Sequence, residues 1–308
     1  MRIHHHWQGL APDARGASVA MGNFDGVHLG HQSVIDLARH AANPLGIVTF
    51  EPHPRQYFAP DAPAFRLMNA EARANRLAKL GVQQLYELPF DATLAGLSPE
   101  AFARDVLARG LGISHVVVGA DFCFGKGRTG TATDLAALGR HYGFDTTIAP
   151  LLSVGGTEVS STAIRTALAE GRPRDAAAML GHWHRIEGEV IHGEKRGREL
   201  GYPTANMSVD GLHLPRLGVY AVKADILTGP QAGSYMGAAS LGVRPMFGVN
   251  RPNLETFLFD FKGDLYGHHL SIAFVDYLRP EMKFDGLDAL IAQMDADCIK
   301  ARDILTAL

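Results

Sequence analysis

Gly22-Asn23-Phe24-Asp25-Gly26-Val27-His28-Leu29-Gly30-His31 decides how the first half of this 308-residue chain is read. The apolar run before it, Ala17 to Met21, predicts a strand. Behind it, Val34, Ile35, Leu37, Ala38 and Ala41 fall on one helical face. Strand and helix are joined by a glycine-bearing turn with two histidines three positions apart, at the helix start. A helix N-terminus offers unpaired N–H groups and the positive end of a dipole. Close backbone approach at Gly22, Gly26 and Gly30 makes the place fit for a phosphate. The turn is neither the GxGxxG nor the Walker pattern. Two histidines on a first helical turn are, alone, an ordinary surface feature. The whole string after a strand points to phosphate chemistry, with Phe24 and Asp25 in the same turn.

Working outward, Gly46 to Phe50 predicts a second strand, ending in the rigid extended turn Glu51-Pro52-His53-Pro54-Arg55. A strand, a helix and another strand imply a right-handed crossover and a parallel sheet. Ligands of such a sheet bind beyond the C-terminal strand ends, where both turns lie. Met68 to Leu80 predicts a helix and Val82 to Pro89 a strand. Ser98-Pro99-Glu100 opens a helix that runs to Gly110. His115 to Val118 reads as a buried strand. Its C-terminal end leads into Gly119-Ala120-Asp121-Phe122-Cys123-Phe124-Gly125-Lys126-Gly127-Arg128, whose aromatics and cations could hold a planar ring and a phosphate. Ser160-Ser161-Thr162-Ala163-Ile164-Arg165 caps a further helix and reads as a second phosphate clamp of hydroxyls and one guanidinium. Arg172 to Leu180 is a short helix, and Gly181 marks a boundary.

Composition narrows the class. With 29 Lys+Arg against 32 Asp+Glu there is no basic excess, which argues against broad nucleic-acid binding. A 46% hydrophobic content can bury a core, yet no apolar stretch approaches the roughly 18 residues of a membrane helix. The N-terminus has no signal-peptide core. Two cysteines, Cys123 and Cys298, and no CxxC fit a reducing cytoplasm.

From Arg185 helical periodicity gives way to short alternating runs: 188–192, 218–226, 234–242, 254–261 and 269–278. Short strands without helices between them predict an antiparallel barrel or sandwich. The densest chemistry lies in Gly193-Glu194-Lys195-Arg196-Gly197-Arg198-Glu199-Leu200-Gly201-Tyr202-Pro203-Thr204-Ala205-Asn206. Extended backbone would point Thr204 and Asn206 the same way. Two hard oxygens with phosphates and water suit Mg²⁺ or another hard divalent ion. In Glu255-Thr256-Phe257-Leu258-Phe259-Asp260-Phe261, Glu255 shares a face with Phe257, Phe259 and Phe261, and Asp260 faces away in a structural role. Asp285 is expected to cap a final helix packed through Leu287, Leu290, Ile291, Met294, Cys298 and Ala301.

The ordered strings His28-x-Gly30-His31, Thr49-Phe50-x-Pro52-x-Pro54, Val118-Gly119-x-Asp121-Phe122-x-Phe124-Gly125 and Ser160-Ser161-Thr162-x-Ile164-Arg165 resemble the adenylyltransferase module of bacterial FAD synthetase. Gly197-Arg198-x-Leu200-Gly201-Tyr202-Pro203-Thr204-Ala205-Asn206, Leu217-Gly218-Val219-Tyr220-Ala221 and Leu278-Arg279-Pro280-Glu281-x-Lys283-Phe284 are similar to riboflavin kinase. The resemblance implies a Rossmann-like nucleotidyltransferase domain over 1–183, a parallel sheet with flanking helices. An antiparallel β-barrel kinase domain with a C-terminal helix would follow over 184–308. Riboflavin, FMN, FAD and ATP would be its partners.

It implies site roles too. Gly22, Phe24, Asp25, His28, His31, Ser161, Thr162 and Arg165 would hold ATP phosphates, with His28 and His31 in an electrostatic role. Pro52, Asp121, Phe122 and Phe124 would meet FMN or adenine. Gly193, Lys195, Gly197, Arg198, Pro203, Thr204 and Asn206 would bind the kinase substrates, Thr204 and Asn206 contacting metal, and Glu255 would activate the ribityl hydroxyl. Three positions depart from the pattern: Cys123 where Arg is usual, Ser240 for Asn, and Met246 for Thr. Two other readings stand beside this one: an adenylyltransferase with a different acceptor, and a flavin sensor with a decayed kinase half.

Overall fold

The computed structural model describes residues 1–39, 42–150, 152–154, 157–193, 201–246 and 249–308. These pack into two compact units, Met1–Pro63 with Arg73–Val159, and Ala64–Ala72 with Ser160–Leu308.

The strands of the first unit are β1 (Arg2–His4), β2 (Ser18–Met21), β3 (Leu45–Glu51), β4 (Gln84–Pro89), β5 (His115–Gly119), the short β6 (Cys123–Phe124) and β7 (Gly130–Thr131), β8 (Asp145–Ala149), and the two-residue β9 (Ser153–Val154) and β10 (Thr157–Glu158). Six of them form one sheet in the order β1-β4-β3-β2-β5-β8, every pairing parallel. Val19, Ile47, Leu85, Val116 and Val117 are fully buried, as strands covered on both faces require. The chain winds outward from β2 through β3 to β4, then returns to β5 on the other side. The switch point thus lies between the ends of β2 and β5, where an open parallel sheet leaves its ligand crevice.

The helices are α1 (Leu29–Leu37), α2 (Pro54–Phe58), α3 (Ala70–Lys79), α4 (Ala92–Ala95), α5 (Pro99–Ala101), which continues as a π-helix over Phe102–Leu111, and α6 (Ala132–Tyr142). Ser98 Oγ accepts from the Ala101 amide at 3.1 Å, and Gly112 in the left-handed region closes the run. Several expectations need correction. α1 stops at Leu37, which is exposed, while Ile35 and Ala38 carry the buried face; Ala41 lies outside the described residues. The turn after β3 is not extended throughout, because Pro54 starts α2 with His53 as its cap. β1 escaped the sequence reading: its three residues carry no apolar period and are held by His4 stacked on Tyr86 and bonded to Gln84. α6, with its Thr131–Asp134 capping box, and β8 were likewise missed.

The second unit holds β11 (Arg185–Glu189), β12 (Thr204–Ser208), β13 (Gly218–Ile226), β14 (Gly233–Met246), β15 (Val249–Leu258) and β16 (His269–Arg279). They form one antiparallel sheet in the order β11-β16-β13-β14-β15-β12. Beyond β11, the Ile191 amide donates to the Asn206 carbonyl of β12 at 2.9 Å, so the two sheet edges meet and a barrel nearly closes. Met207, Tyr220, Val222, Leu241, Leu254, Ile272 and Phe274 fill its interior.

Helix α7 (Ser161–Ala169) and α8 (Pro173–Leu180) pack in this second unit, sharing an apolar cluster with Leu67. The packing therefore divides at Val159 and Ser160, ahead of the 183/184 boundary read from the sequence. The last helix, α9 (Leu287–Thr306), covers the outside of the barrel through Ala301 and Leu305 against Val219, Ala221 and Val275. Leu287 is exposed, and the cap is Gly286, not Asp285, since the helix begins one residue later than the capping pattern placed it. Phe261 leaves the Glu255 face. β15 ends at Leu258 and Asp260 takes φ 58°, which turns Phe261 into the interior cluster. Asp260 itself holds Arg302 of α9 through two bonds of 2.8 and 3.0 Å.

Candidate active sites

The turn between β2 and α1 is held in a conformation that its side chains alone would not choose. Phe24 (φ 52°) and Val27 (φ 44°) both sit in the left-handed region, beside Gly26 at φ 89°. For a branched residue such as Val27 that geometry costs of order 1–3 kcal/mol and persists only where neighbours enforce it. Thr49 Oγ1 and Arg73 Nη1 donate to the Asn23 carbonyl at 3.3 and 3.5 Å, and Gln32 Nε2 to the Val27 carbonyl at 2.9 Å. Both Phe24 and Val27 are buried.

His28 caps α1: its Nδ1 accepts from the His31 amide at 3.3 Å. With Nδ1 accepting, the neutral ring carries its proton on Nε2. The rings of His28 and His31 stack at 3.6 Å, with Phe24 5.2 Å from His31. Burial first, and then the neighbouring His28, push the His31 pKa well below its ordinary value. With its pKa lowered in this way, His31 favours the neutral, N–H-bearing ring near pH 7. Its Nδ1 is buried with no hydrogen-bond partner among the described residues.

Other expected contacts are narrowed by the same geometry. The Gly22 amide bonds the Val48 carbonyl, and the Phe24 ring lies in the core, leaving that residue its backbone alone for a ligand. Asp25 is buried in the same turn. Pro52 is exposed after a cis Glu51–Pro52 bond. Asp121 is exposed at the end of β5, Phe122 is half-buried and stacked on Phe124 at 5.8 Å, and Phe124 itself is buried against Phe102. Sequence reading passed over an aromatic group at the ends of β3 and β4. Tyr57, Phe58 and Phe90 meet edge to face at 5.1–5.7 Å, with Phe58 68% exposed. An exposed large aromatic in a short post-strand helix was the available signal. It also passed over Arg73, 1% exposed, whose Nη2 binds Glu51 at 2.9 Å and Glu87 at 2.6 Å.

In the second unit, Ser160 Oγ caps α7 by accepting from the Ala163 amide at 3.2 Å. Ser161, Thr162 and Arg165 follow on its first turns. Arg165 Nε donates to the Phe65 carbonyl at 2.6 Å, with the guanidinium 5.4 Å from that ring.

The barrel site is assembled by register. Asn206 on β12 stands directly opposite Glu255 on β15, and Thr204 opposite Phe257, so all four share one face. Asn206 is buried and its Nδ2 donates to the Thr204 carbonyl at 3.3 Å. Asn253 Nδ2 donates to Asn206 Oδ1 at 3.2 Å and to Glu255 Oε1 at 3.3 Å. A Cβ on Gly193 would come within 2.6 Å of the Asn206 amide, so a larger residue there would push on that side chain. Pro203 is described; Lys195, Gly197 and Arg198 lie outside the described residues.

Two family models match the chain, FAD synthetase over residues 10–163 and riboflavin kinase over residues 180–305. A bifunctional riboflavin kinase/FMN adenylyltransferase from Pseudomonas fluorescens is 40% identical, with 95% of this chain and 94% of the relative covered. The same-named protein of Escherichia coli (strain K12) is 37% identical, with 94% and 92% covered. The chain belongs to the bifunctional riboflavin kinase/FMN adenylyltransferase family.

A crystal structure described as a macrolide-efflux protein from Streptococcus pneumoniae superposes with a TM-score of 0.78 at 33% identity, covering 94% of this chain and 93% of that one. Among the described residues, no helix is long and apolar enough to cross a membrane. Of the departures from the riboflavin kinase/FMN adenylyltransferase pattern, Cys123 has its Sγ on the Asp121 carbonyl at 3.6 Å. Ser240 on β14 pairs directly with Glu255, extending the row Asn206–Glu255–Ser240 across three strands. Met246 pairs with Val249 at the end of that hairpin.

Proposed function

We propose that the protein carries out two successive reactions: the barrel row makes FMN from riboflavin and ATP, and the β2–α1 turn makes FAD from FMN and a second ATP. As a member of its family the chain is a riboflavin kinase and an FMN adenylyltransferase, with riboflavin, FMN, FAD and ATP as substrates and products. We assign the adenylyl step to residues 1–183 and the kinase step to 184–308. The observation that carries the reading is the strand register that sets Asn206 against Glu255.

In the first reaction Glu255 accepts the proton of the ribityl 5′-hydroxyl as its oxygen attacks the γ-phosphorus of ATP and ADP leaves. Thr204 and Asn206 would hold a Mg²⁺ or similar hard ion, which would neutralise charge on the phosphates when bound. The residues suit that ion by their chemistry: the Thr204 hydroxyl and the Asn206 carboxamide are neutral oxygen donors on one face of β12. Gly193 and Pro203, with Lys195, Gly197 and Arg198, are assigned to ATP and flavin.

In the second reaction the FMN phosphate oxygen attacks the α-phosphorus of ATP, and the bond to pyrophosphate breaks. The attacker is already anionic, so no base is needed. The site must offset charge between two anions, and we assign that to His28 and His31 as N–H donors. Gly22, Phe24 and Asp25 shape the turn. Ser161, Thr162 and Arg165 are assigned to phosphate, and Pro52, Asp121, Phe122 and Phe124 to FMN or adenine, with exposed Phe58 offering a further flat face. We place the protein in the cytoplasm, in keeping with two unbonded cysteines.

Purified protein with riboflavin, ATP and Mg²⁺, followed by chromatography, tests the whole scheme. FMN is expected first and FAD after it. FAD from added FMN with no FMN from riboflavin would overturn the kinase assignment, and bound flavin without turnover would favour a sensor.

A further inference from the structure

We propose that Asn253 is a positioning residue for phosphoryl transfer. Its one amide nitrogen fixes the Glu255 carboxylate and the Asn206 carboxamide oxygen relative to each other. The inference rests on the reading of Glu255 as base and Asn206 as cation-side ligand.

Asn253 and Glu255 are two apart on β15 and so share a face, and Asn206 is diagonal to Asn253 across the β12–β15 pairing. The amide has two hydrogens in one plane, set apart by a fixed angle. Here one goes to Asn206 Oδ1 at 3.2 Å and the other to Glu255 Oε1 at 3.3 Å. Asn206 is thereby held at both ends, since its Nδ2 is bonded to the Thr204 carbonyl. One lone pair of Oδ1 is engaged by Asn253, and the other would serve the cation. A glutamate otherwise has three side-chain torsions to settle, and a base must reach its proton within about 2.6–3.2 Å. On the other side of β15, Gly242 of β14 is the residue paired with Asn253, and the Glu281 carboxylate occupies the space a Cβ there would need.

Asn253→Leu removes both bonds at similar volume. Asn253→Asp keeps the shape but replaces the donor with a charge beside Glu255. Asn253→Ser keeps a single donor. In the full-length protein, kcat for FMN formation should fall about 30-fold in Asn253→Leu, with KM for riboflavin within about twofold. The fall should be at least as large in Asn253→Asp and smaller in Asn253→Ser. FAD formation from FMN in the same preparation should stay within about twofold. The melting shift produced by ADP with Mg²⁺, measured from each variant's own melting temperature without nucleotide, should shrink in Asn253→Leu and stay near the parent's in Asn253→Ser.

Asn253→Leu with unchanged kcat, a loss confined to KM, or losses that follow the melting temperature through all three variants would overturn the proposal. Glu255→Gln separates the two levels. If it still turns over, the base assignment fails; if it is inactive while Asn253→Leu is fully active, only the positioning role fails.

Discussion

The β2–α1 turn and the barrel row gather their polar groups by opposite means. The turn is ten contiguous residues whose backbone is preset by bonds to the Asn23 and Val27 carbonyls and by positive φ at Phe24 and Val27. The barrel row takes Asn206, Glu255 and Ser240 from three strands and holds them by register and by the Asn253 amide. A site made of backbone geometry depends on the props beneath it. A site made of side chains depends on which residue faces which.

The most severe way to break the comparison is at the donors. His28→Ala with His31→Ala should lower FAD formation from FMN by at least about 10³-fold, because both imidazole rings of the turn are lost. FMN formation from riboflavin should stay unchanged. Loss of both activities would contradict independent sites.

The prop beneath the turn comes next. Arg73 is buried between Glu51 and Glu87 and reaches the Asn23 carbonyl. Arg73→Met strands two carboxylates and should destabilise the first unit by about 3–5 kcal/mol. Thermal unfolding should show it, with FAD formation lost at lower temperature than FMN formation. Equal heat sensitivity of the two activities would show that the prop is not local.

The smallest effect concerns the barrel unit and pH. Burial, reinforced by His182 and His213, pushes the His184 pKa down to about 3. Its folded pKa is below the unfolded value, so stability present above pH 6.5 is lost as pH falls toward 3. By pH 5 the loss is about 2 kcal/mol. His184→Leu should flatten that part of the stability–pH curve in calorimetry, whereas the parent's slope persisting in the variant would exclude His184 as its source.

Much of the molecule was legible because its signals are local. The strands at 218–226 and 269–278 and the cap at Ser98 need only neighbours in the chain. The turn at 22–31 could be recognised since its glycines, histidines and flanking elements are contiguous. β1 was illegible because a three-residue edge strand gets its stability from Tyr86 and Gln84, some eighty residues away. The α9 start and the fate of Phe261 were misjudged for a related reason: Gly286 and the positive φ of Asp260 override the residue period.

The sequence by itself determined which chemistry is present: two histidines on a first helical turn, a Thr–Asn pair, and one carboxylate in an aromatic strand. It also determined the change from a 3.6-residue period to alternation that separates sheet types. Only the tertiary structure decided that His31 is neutral, because its pKa is set by burial and by a ring stacked 3.6 Å away. Only it decided that α7 and α8 pack with the barrel, and that Asn253 joins Asn206 to Glu255. Charge state and side-chain partnership depend on distances through space, and residues nearly fifty apart in the chain acquire those only when the strands pair.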